Sequence, residues 1–256
     1  MNGIDHALTG FSPISLNEMD SVLLMDRVDT KYIFPTTHLS EVLGIIPSTY
    51  KILEIKNQRS LPYRTIYLDT SDFLFYQEQM RGKLNTHKVR YRVYESTDTS
   101  FLEVKFKSNK MRTIKWRINQ RLQNCHIDNE AISYLSKFLP MHTTSLKPSM
   151  ISKFDRITLA RLETKERITI DTNICFSSID GSREVTQPYL AILESKHDDF
   201  SNRSSFVRLL KDLNVRSLGF SKYCIGSAML FDLPRQNDLK PKYLILQKIA
   251  SEFYKP

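Results

Sequence analysis

The chain has 256 residues, with 37 Lys plus Arg against 28 Asp plus Glu and a formal charge of +9. That excess points to an anionic partner: nucleic acid, a membrane surface or phosphorylated small molecules. No apolar run is long enough to span a bilayer, and the opening MNGIDHALTGFSPISL lacks the basic start and apolar core of a secretory signal. The three scattered cysteines, Cys125, Cys175 and Cys224, form no CxxC pattern and read as reduced thiols. The expectation is a cytoplasmic protein. Glycine is sparse and no GxGxxG or P-loop spacing occurs, so the common nucleotide cradles are absent.

Ser15-Leu16-Asn17-Glu18 fits a capping box and predicts a helix from about Leu16 to Met25. In the strand that follows, Arg27, Asp29 and Lys31 alternate with Val28, Thr30 and Tyr32, and Pro35 ends it. A short helix then carries Leu39, Val42, Leu43 and Ile46 on one side. Tyr63–Leu68 reads as a strand, and Asp69–Asp72 turns it into a helix bearing Phe73, Tyr76 and Met80.

The stretch 88–107, KVRYRVYESTDTSFLEVKFK, carries the strongest signal. Lys88, Arg90 and Arg92 share one strand face against Val89, Tyr91 and Val93. Glu103, Lys105 and Lys107 share a second face against Leu102, Val104 and Phe106. Same-face neighbours on a strand lie about 7 Å apart, where two cations repel by ~0.6 kcal/mol in water and roughly four times that at an effective dielectric near 20. Such a row is tolerable in solvent and costly in a cavity, unless a polyanion fills it. Another strand, Arg112–Ile118, sets Lys115 and Arg117 on one face, and Asp128 starts a helix with Ile132, Leu135, Phe138 and Leu139. Residues 141–150, with Pro148, read as a loop joining two halves of one fold. Strands Met150–Arg161, Glu166–Asp171 and Tyr189–Lys196 repeat the theme through Phe154 and Arg156, then Arg167, Thr169 and Asp171, then Glu194 and Lys196. Helices are predicted over about Ser201–Leu213, from Gly219-Phe220-Ser221-Lys222 through Leu230, and over Tyr243–Phe253.

An open antiparallel sheet with one wet face would explain any single strand. Across all of them the polar positions hold mostly Arg, Lys and Glu, and several helices need a surface to pack on. An α+β fold, a closed antiparallel β-barrel with a charged lumen and helices packed around the outside, accounts for both features. A lumen of Arg and Lys suits a chain of phosphates. Glu103 and Glu194 sit among lysines, either as in-sheet salt-bridge partners or as ligands for a hard divalent cation that also binds phosphate. Nucleic-acid binding through Tyr91, Tyr94, Phe101 and Phe106 ranks last, because alternation puts Tyr91 and Phe106 opposite the cations.

The ordered set RVDTKYIF, IYLDT, KVRYRVY, FLEVKFK, FDRITL, ERITID, LESK and GFSKYCIG resembles the VTC domain, the catalytic module of vacuolar transporter chaperone polyphosphate polymerase. That family belongs to the triphosphate tunnel metalloenzymes, which are related to the CYTH group. The resemblance runs from about Arg27 to Leu230 and implies one tunnel domain over 1–256, with its core at about 27–230 and a C-terminal helix at about 243–253. It implies a basic tunnel in which the ATP γ-phosphate passes to a polyphosphate chain with Mn²⁺ or Mg²⁺. By motif, Lys31, Arg90, Arg92, Lys105, Arg156, Arg167 and Lys222 take the catalytic positions. Glu194, with Glu103, takes the metal positions, and Ser221 joins Lys222 in the phosphate-contacting SK pair. The other basic residues on these faces, Arg27, Lys88, Lys107, Lys115, Arg117 and Lys196, are expected to line the substrate track.

RVDTK replaces the ExExK of the CYTH branch, Phe154 stands where tyrosine is expected, and Gly219 stands where polymerase members can carry a lysine. The expected partners are ATP, tripolyphosphate or polyphosphate, and not nucleic acid. A membrane protein would be needed to move the product. Hydrolysis of tripolyphosphate or nucleoside triphosphate, or non-catalytic polyphosphate binding as a sensor or scaffold, are the alternatives.

Overall fold

The computed structural model describes residues 3–19, 28–109, 113–121, 126–197, 210–213 and 215–255. Arg27, Cys125 and most of the helix expected near 201–213 lie outside them. In chain order the elements are α1 (Gly3–Thr9), β1 (Pro13–Ile14), α2 (Leu16–Met19), β2 (Val28–Pro35), α3 (Leu39–Gly44), β3 (Lys51–Leu53), β4 (Ser60–Asp69) and α4 (Leu74–Met80). Then come β5 (Thr86–Tyr94), β6 (Thr99–Lys107), β7 (Thr113–Asn119), α5 (Asn129–Ser136), β8 (Lys147–Arg161), β9 (Glu166–Ser177), β10 (Glu184–Gln187), β11 (Leu190–His197), α6 (Lys222–Leu230) and α7 (Lys240–Phe253). No helix among the described residues is long and apolar enough to cross a membrane.

The capping box forms as read. Ser15 N and Oγ donate to Glu18 Oε2 at 2.9 and 2.6 Å, and Glu18 N donates to Ser15 Oγ at 3.4 Å. The strands join in one sheet of order β2-β11-β9-β8-β4-β5-β6-β7, antiparallel throughout this path. The period-two pattern becomes layers that cross the sheet. Tyr32, Leu193, Ile170 and Ile157 stand in one register row on the convex side. They pack with Leu39, Val42 and Leu43 of α3 and Leu8 of α1. Further along the same side, Val89, Tyr91, Leu102 and Val104 cluster with Ala131 and Leu135 of α5. Burying each such side chain is worth about 1.5–3 kcal/mol.

Three expectations need correction. The sheet does not close: among the described residues no ladder joins β2 to β7. The outer side of β2 is taken instead by the segment before α6. Ser217 bridges Tyr32, and Leu218 N donates to Lys31 O at 2.9 Å. At the other edge β7 is short and largely exposed. Nor are all helices outside. α6, KYCIGSAML, is apolar all round and buried on nearly every side. It lies across the concave side, where a Cβ on Gly226 would come within 2.6 Å of Phe176 and 2.8 Å of Met150. Met150 shares its β8 face with Phe154 and Arg156, so α6 shuts one end of the concavity that carries the charges.

Pro148 lies inside β8, not in a loop. It pairs with Leu68 beside a register shift, where a missing N–H is tolerated.

Candidate active site

Register decides which side chains share the concave face. Lys31 lies opposite Glu194, Glu194 opposite Thr169, Asp171 opposite Arg156, and Arg90 opposite both Tyr67 and Glu103. Lys88 pairs with Lys105, and Lys105 with Lys115. The charged halves of seven strands, with Thr65 and Tyr67 of β4 between them, therefore look into one hollow, while the apolar halves pack on the helices.

Three carboxylates organise the cations there. Glu103 is 1% exposed and takes Arg90 at 2.8 Å, Arg92 at 3.9 Å and Lys115 in direct contact. Burial alone would raise its pKa, but Arg90, Arg92 and Lys115 hold it well below the usual carboxylate range. Asp171 binds Arg156 through two parallel bonds of 2.5 and 2.7 Å and also contacts Lys222. Both cations overcome its burial and keep it ionised. Arg156 and Lys222 rest on the Phe154 ring, 5.1 and 3.8 Å from its centroid. Glu194 lies 3.2 Å from Lys31 and 3.7 Å from Lys196. Burial would raise its pKa, yet Lys196, Lys31, Arg156 and Lys105 keep it well down.

The three groups meet across the hollow. Lys105 on β6 reaches Asp29 on β2 at 3.9 Å, and Lys88 Nζ donates to Ser221 Oγ at 3.2 Å. Burial, with Lys105, Lys31 and Arg90 nearby, pushes Lys88 down to about 8. Burial, opposed by Asp171 and reinforced by Arg156, brings Lys222 to about 8. Lys115 falls to about 7, again chiefly through burial. Cations outnumber carboxylates in the hollow, and several are held where the charged form is costly.

Some donors remain unused. Arg92 Nε and the buried hydroxyls of Thr65, Ser152 and Thr169 have no hydrogen-bond partner. Thr65 stands opposite both Arg92 and Ser152 on this face. Buried polar groups are normally satisfied, so this cluster suits a ligand rich in acceptors.

The VTC domain family model matches residues 26–231. The chain belongs to the VTC domain family. No curated protein sequence matches it. Among solved structures, a candidate adenylate cyclase from Vibrio parahaemolyticus is similar at 15% identity and a TM-score of 0.47, covering 78% of this chain and 97% of that one. A candidate adenylate cyclase from Bacillus halodurans is similar at 13% identity and a TM-score of 0.46, with 77% and 96% covered. A Hippeastrum adenylyl cyclase candidate, described as having a dominant triphosphatase activity, is similar at 12% identity and a TM-score of 0.47, with 83% and 99% covered. Likeness at this level carries no statement about what the present chain does.

Within this VTC domain, Lys31, Lys88, Arg90, Arg92, Lys105, Arg156, Lys196, Glu103 and Glu194 share the concave face, with Lys222 and Ser221 at the start of α6. Ser221 is the N-cap of that helix, accepting from Cys224 N at 3.3 Å. Arg167 is half-buried on the same face, and its Nη2 donates to Met19 O at 3.4 Å. Lys107 and Arg117 lie at the exposed rim, where Arg117 covers the Phe101 ring at 4.8 Å.

Five contributors escaped the sequence reading. Asp171 and Asp29 stood at charged-face positions of their strands but were not singled out as site residues. Thr65 and Ser152 gave no signal, because a hydroxyl among apolar residues is ordinary in a strand. Asp69 was read only as a turn. It accepts from Thr70, Phe75 and Tyr76 N at 2.7–3.0 Å and from the Tyr223 hydroxyl, so it ties α4 to α6.

No group of three His, Cys, Asp or Glu able to hold a metal occurs among the described residues. Glu103 is enclosed by three cations, and a metal there would have to displace Lys115. Glu194 has one oxygen near each of two lysines and is 15% exposed. It fits a divalent ion that takes most of its ligands from phosphate and water.

Proposed function

We propose that this chain is a metal-dependent polyphosphate polymerase, which transfers the γ-phosphate of ATP to a polyphosphate chain bound in the concave hollow. The observation that carries the reading is the excess of cations in one enclosed face, with Arg92 Nε still lacking an acceptor. Arg90, Arg92 and Arg156 would grip phosphate oxygens in forked pairs. Lys31, Lys88, Lys105 and Lys222 would neutralise the rest of the chain. Glu103 and Asp171 would hold the arginines in place between turnovers.

In the transfer, the bond from the γ-phosphorus to the bridging oxygen of ADP breaks. A bond forms from that phosphorus to a terminal oxygen of the chain. That oxygen is already anionic, so no base is required, and the work is positioning and charge neutralisation. The ion-paired state of Glu103, Asp171 and Glu194 favours this acceptor over water, which would need a free base. A Mg²⁺ or Mn²⁺ ion held by Glu194 would neutralise charge shared between phosphate oxygens.

Incubation with ATP and Mn²⁺ or Mg²⁺, resolved on a gel, tests the reading. A ladder of long polyphosphate supports it. Release of free phosphate makes the protein a hydrolase, and binding without turnover makes it a polyphosphate sensor or scaffold.

A further inference from the structure

Helix α7 begins nine residues after the last residue of the family match and packs back on the domain. Leu246 and Ile249 are buried against the core, and Glu252 meets His38 at 3.0 Å. Its first turn delivers Lys242 to a cavity of about 370 Å³ at the outer side of β2. Lys31, Asp29, Ser217, Gly219 and Ser221 line the same cavity. Lys31 and Ser221 also belong to the charged hollow, through Glu194 and Lys88. The cavity therefore adjoins the proposed phosphate track through these two residues.

Lys242 is half-buried, and no hydrogen bond or ion pair engages it among the described residues. Lys31 in the same cavity is held by Glu194 and Asp29 lies 3.9 Å from Lys105, so an anion entering the cavity meets in Lys242 a cation that no carboxylate among the described residues engages. Gly219 lies in the same cavity, and a Cβ built on it would meet no atom within 4 Å. The position leaves space for a longer side chain in the cavity that Lys242 also lines.

We infer that Lys242 is an anion-binding residue in the cavity adjoining the hollow, where it holds the part of a polyphosphate chain that extends beyond the interior cations. The inference rests on the polyphosphate reading above. It predicts that chain length decides whether Lys242 matters. Short phosphates satisfied by the interior arginines should ignore it, and long chains should not.

The test is calorimetric titration of pyrophosphate and of long-chain polyphosphate into the full chain and its variants. Lys242→Ala should weaken long-chain binding about five- to tenfold, the lower range for a charge-assisted contact at a half-exposed site. It should leave pyrophosphate within about twofold. Lys248→Ala, which removes an exposed lysine from the same helix, controls for net charge and should change neither. Adding Gly219→Lys to Lys242→Ala should restore most of the long-chain affinity, because the cation returns to the same cavity. If Lys242→Ala and Lys248→Ala behave alike on both ligands while the wild type binds them, the inference is wrong and the polyphosphate reading stands. If the wild type binds neither ligand, the polyphosphate reading itself fails.

Discussion

Lys105 on β6 and Asp29 on β2 come within 3.9 Å of each other although five strands separate them in the sheet order. The contact crosses the concave face; it does not run along a ladder. The hollow is thus enclosed by curvature and by the segment at Ser217–Leu218, without hydrogen-bonded closure. Its cations are concentrated by the twist and curl of an ordinary antiparallel sheet.

Glu103 is the carboxylate on which the β5–β7 cations depend. Glu103→Gln keeps the shape and leaves Arg90, Arg92 and Lys115 facing each other. Breaking one member out of a buried ionic group costs about 3–5 kcal/mol. The thermal midpoint should drop accordingly, and tripolyphosphate should raise it by more in the variant than in the wild type. Equal stability of the two proteins without ligand would show that Glu103 is not holding this cluster.

Lys88, Lys115 and Lys222 have values near 8, 7 and 8 when no anion is bound. A polyanion stabilises their charged forms and raises those values, so the complex holds more protons than the free protein at pH above about 7. Affinity should therefore fall as pH rises from 7 to 9, and binding near pH 8 should take up protons. Titrations in buffers of different ionisation enthalpy measure that uptake. Proton release, or affinity rising with pH, would contradict the assignment.

The alternating charges of Lys88–Arg92 and Glu103–Lys105 were legible because a strand has a period of two and the opposite positions were uniformly apolar. Asp171 was equally visible in ERITID, since it keeps step with Arg167. Closure was not legible. Whether β2 pairs with β7 or with Ser217–Leu218 depends on a chain segment nearly two hundred residues away. Strands β3 and β10 were too short for a periodicity signal, and β9 runs on to Ser177 past the Asp171 where its reading stopped. The place of α6 on the concave side was hidden for a different reason. KYCIGSAML shows that a helix is buried, but not which side of a sheet buries it.

Gly226 is where α6 meets that side most closely. Gly226→Ala puts a methyl within 2.6 Å of the Phe176 ring and 2.8 Å of the Met150 Cε, both fully buried, and while the methionine end can turn aside the ring must shift as a whole. Overpacking of this kind costs about 1–3 kcal/mol. Because Ser221 and Lys222 ride on the same helix, tripolyphosphate affinity should fall together with the thermal midpoint. A fully stable variant with normal affinity would move α6 away from these side chains.

Glu194 and Lys222 should fail in different ways. Glu194→Gln should abolish metal-dependent turnover of ATP while leaving metal-free polyphosphate binding intact or slightly tighter, since a negative charge leaves a cationic face. Lys222→Ala should weaken binding with or without Mn²⁺. Normal turnover by Glu194→Gln would leave Glu194 as a salt-bridge partner only.

Arg92 gives the most direct test of the hollow as a polyphosphate site. It is 13% exposed, stands 3.9 Å from Glu103, and its Nε donates to no acceptor. Its removal leaves Glu103 paired to Arg90 and Lys115, so the fold should lose less than it does in Glu103→Gln. Each charge-assisted phosphate contact is worth about 1.5–3 kcal/mol, or roughly ten- to a hundredfold in affinity. Metal-free calorimetric titration of tripolyphosphate into the wild type and Arg92→Ala should show binding that weakens with salt, with at least a tenfold loss in the variant and a thermal midpoint above that of Glu103→Gln. Equal affinity in the two proteins, or no binding by the wild type, would contradict the account.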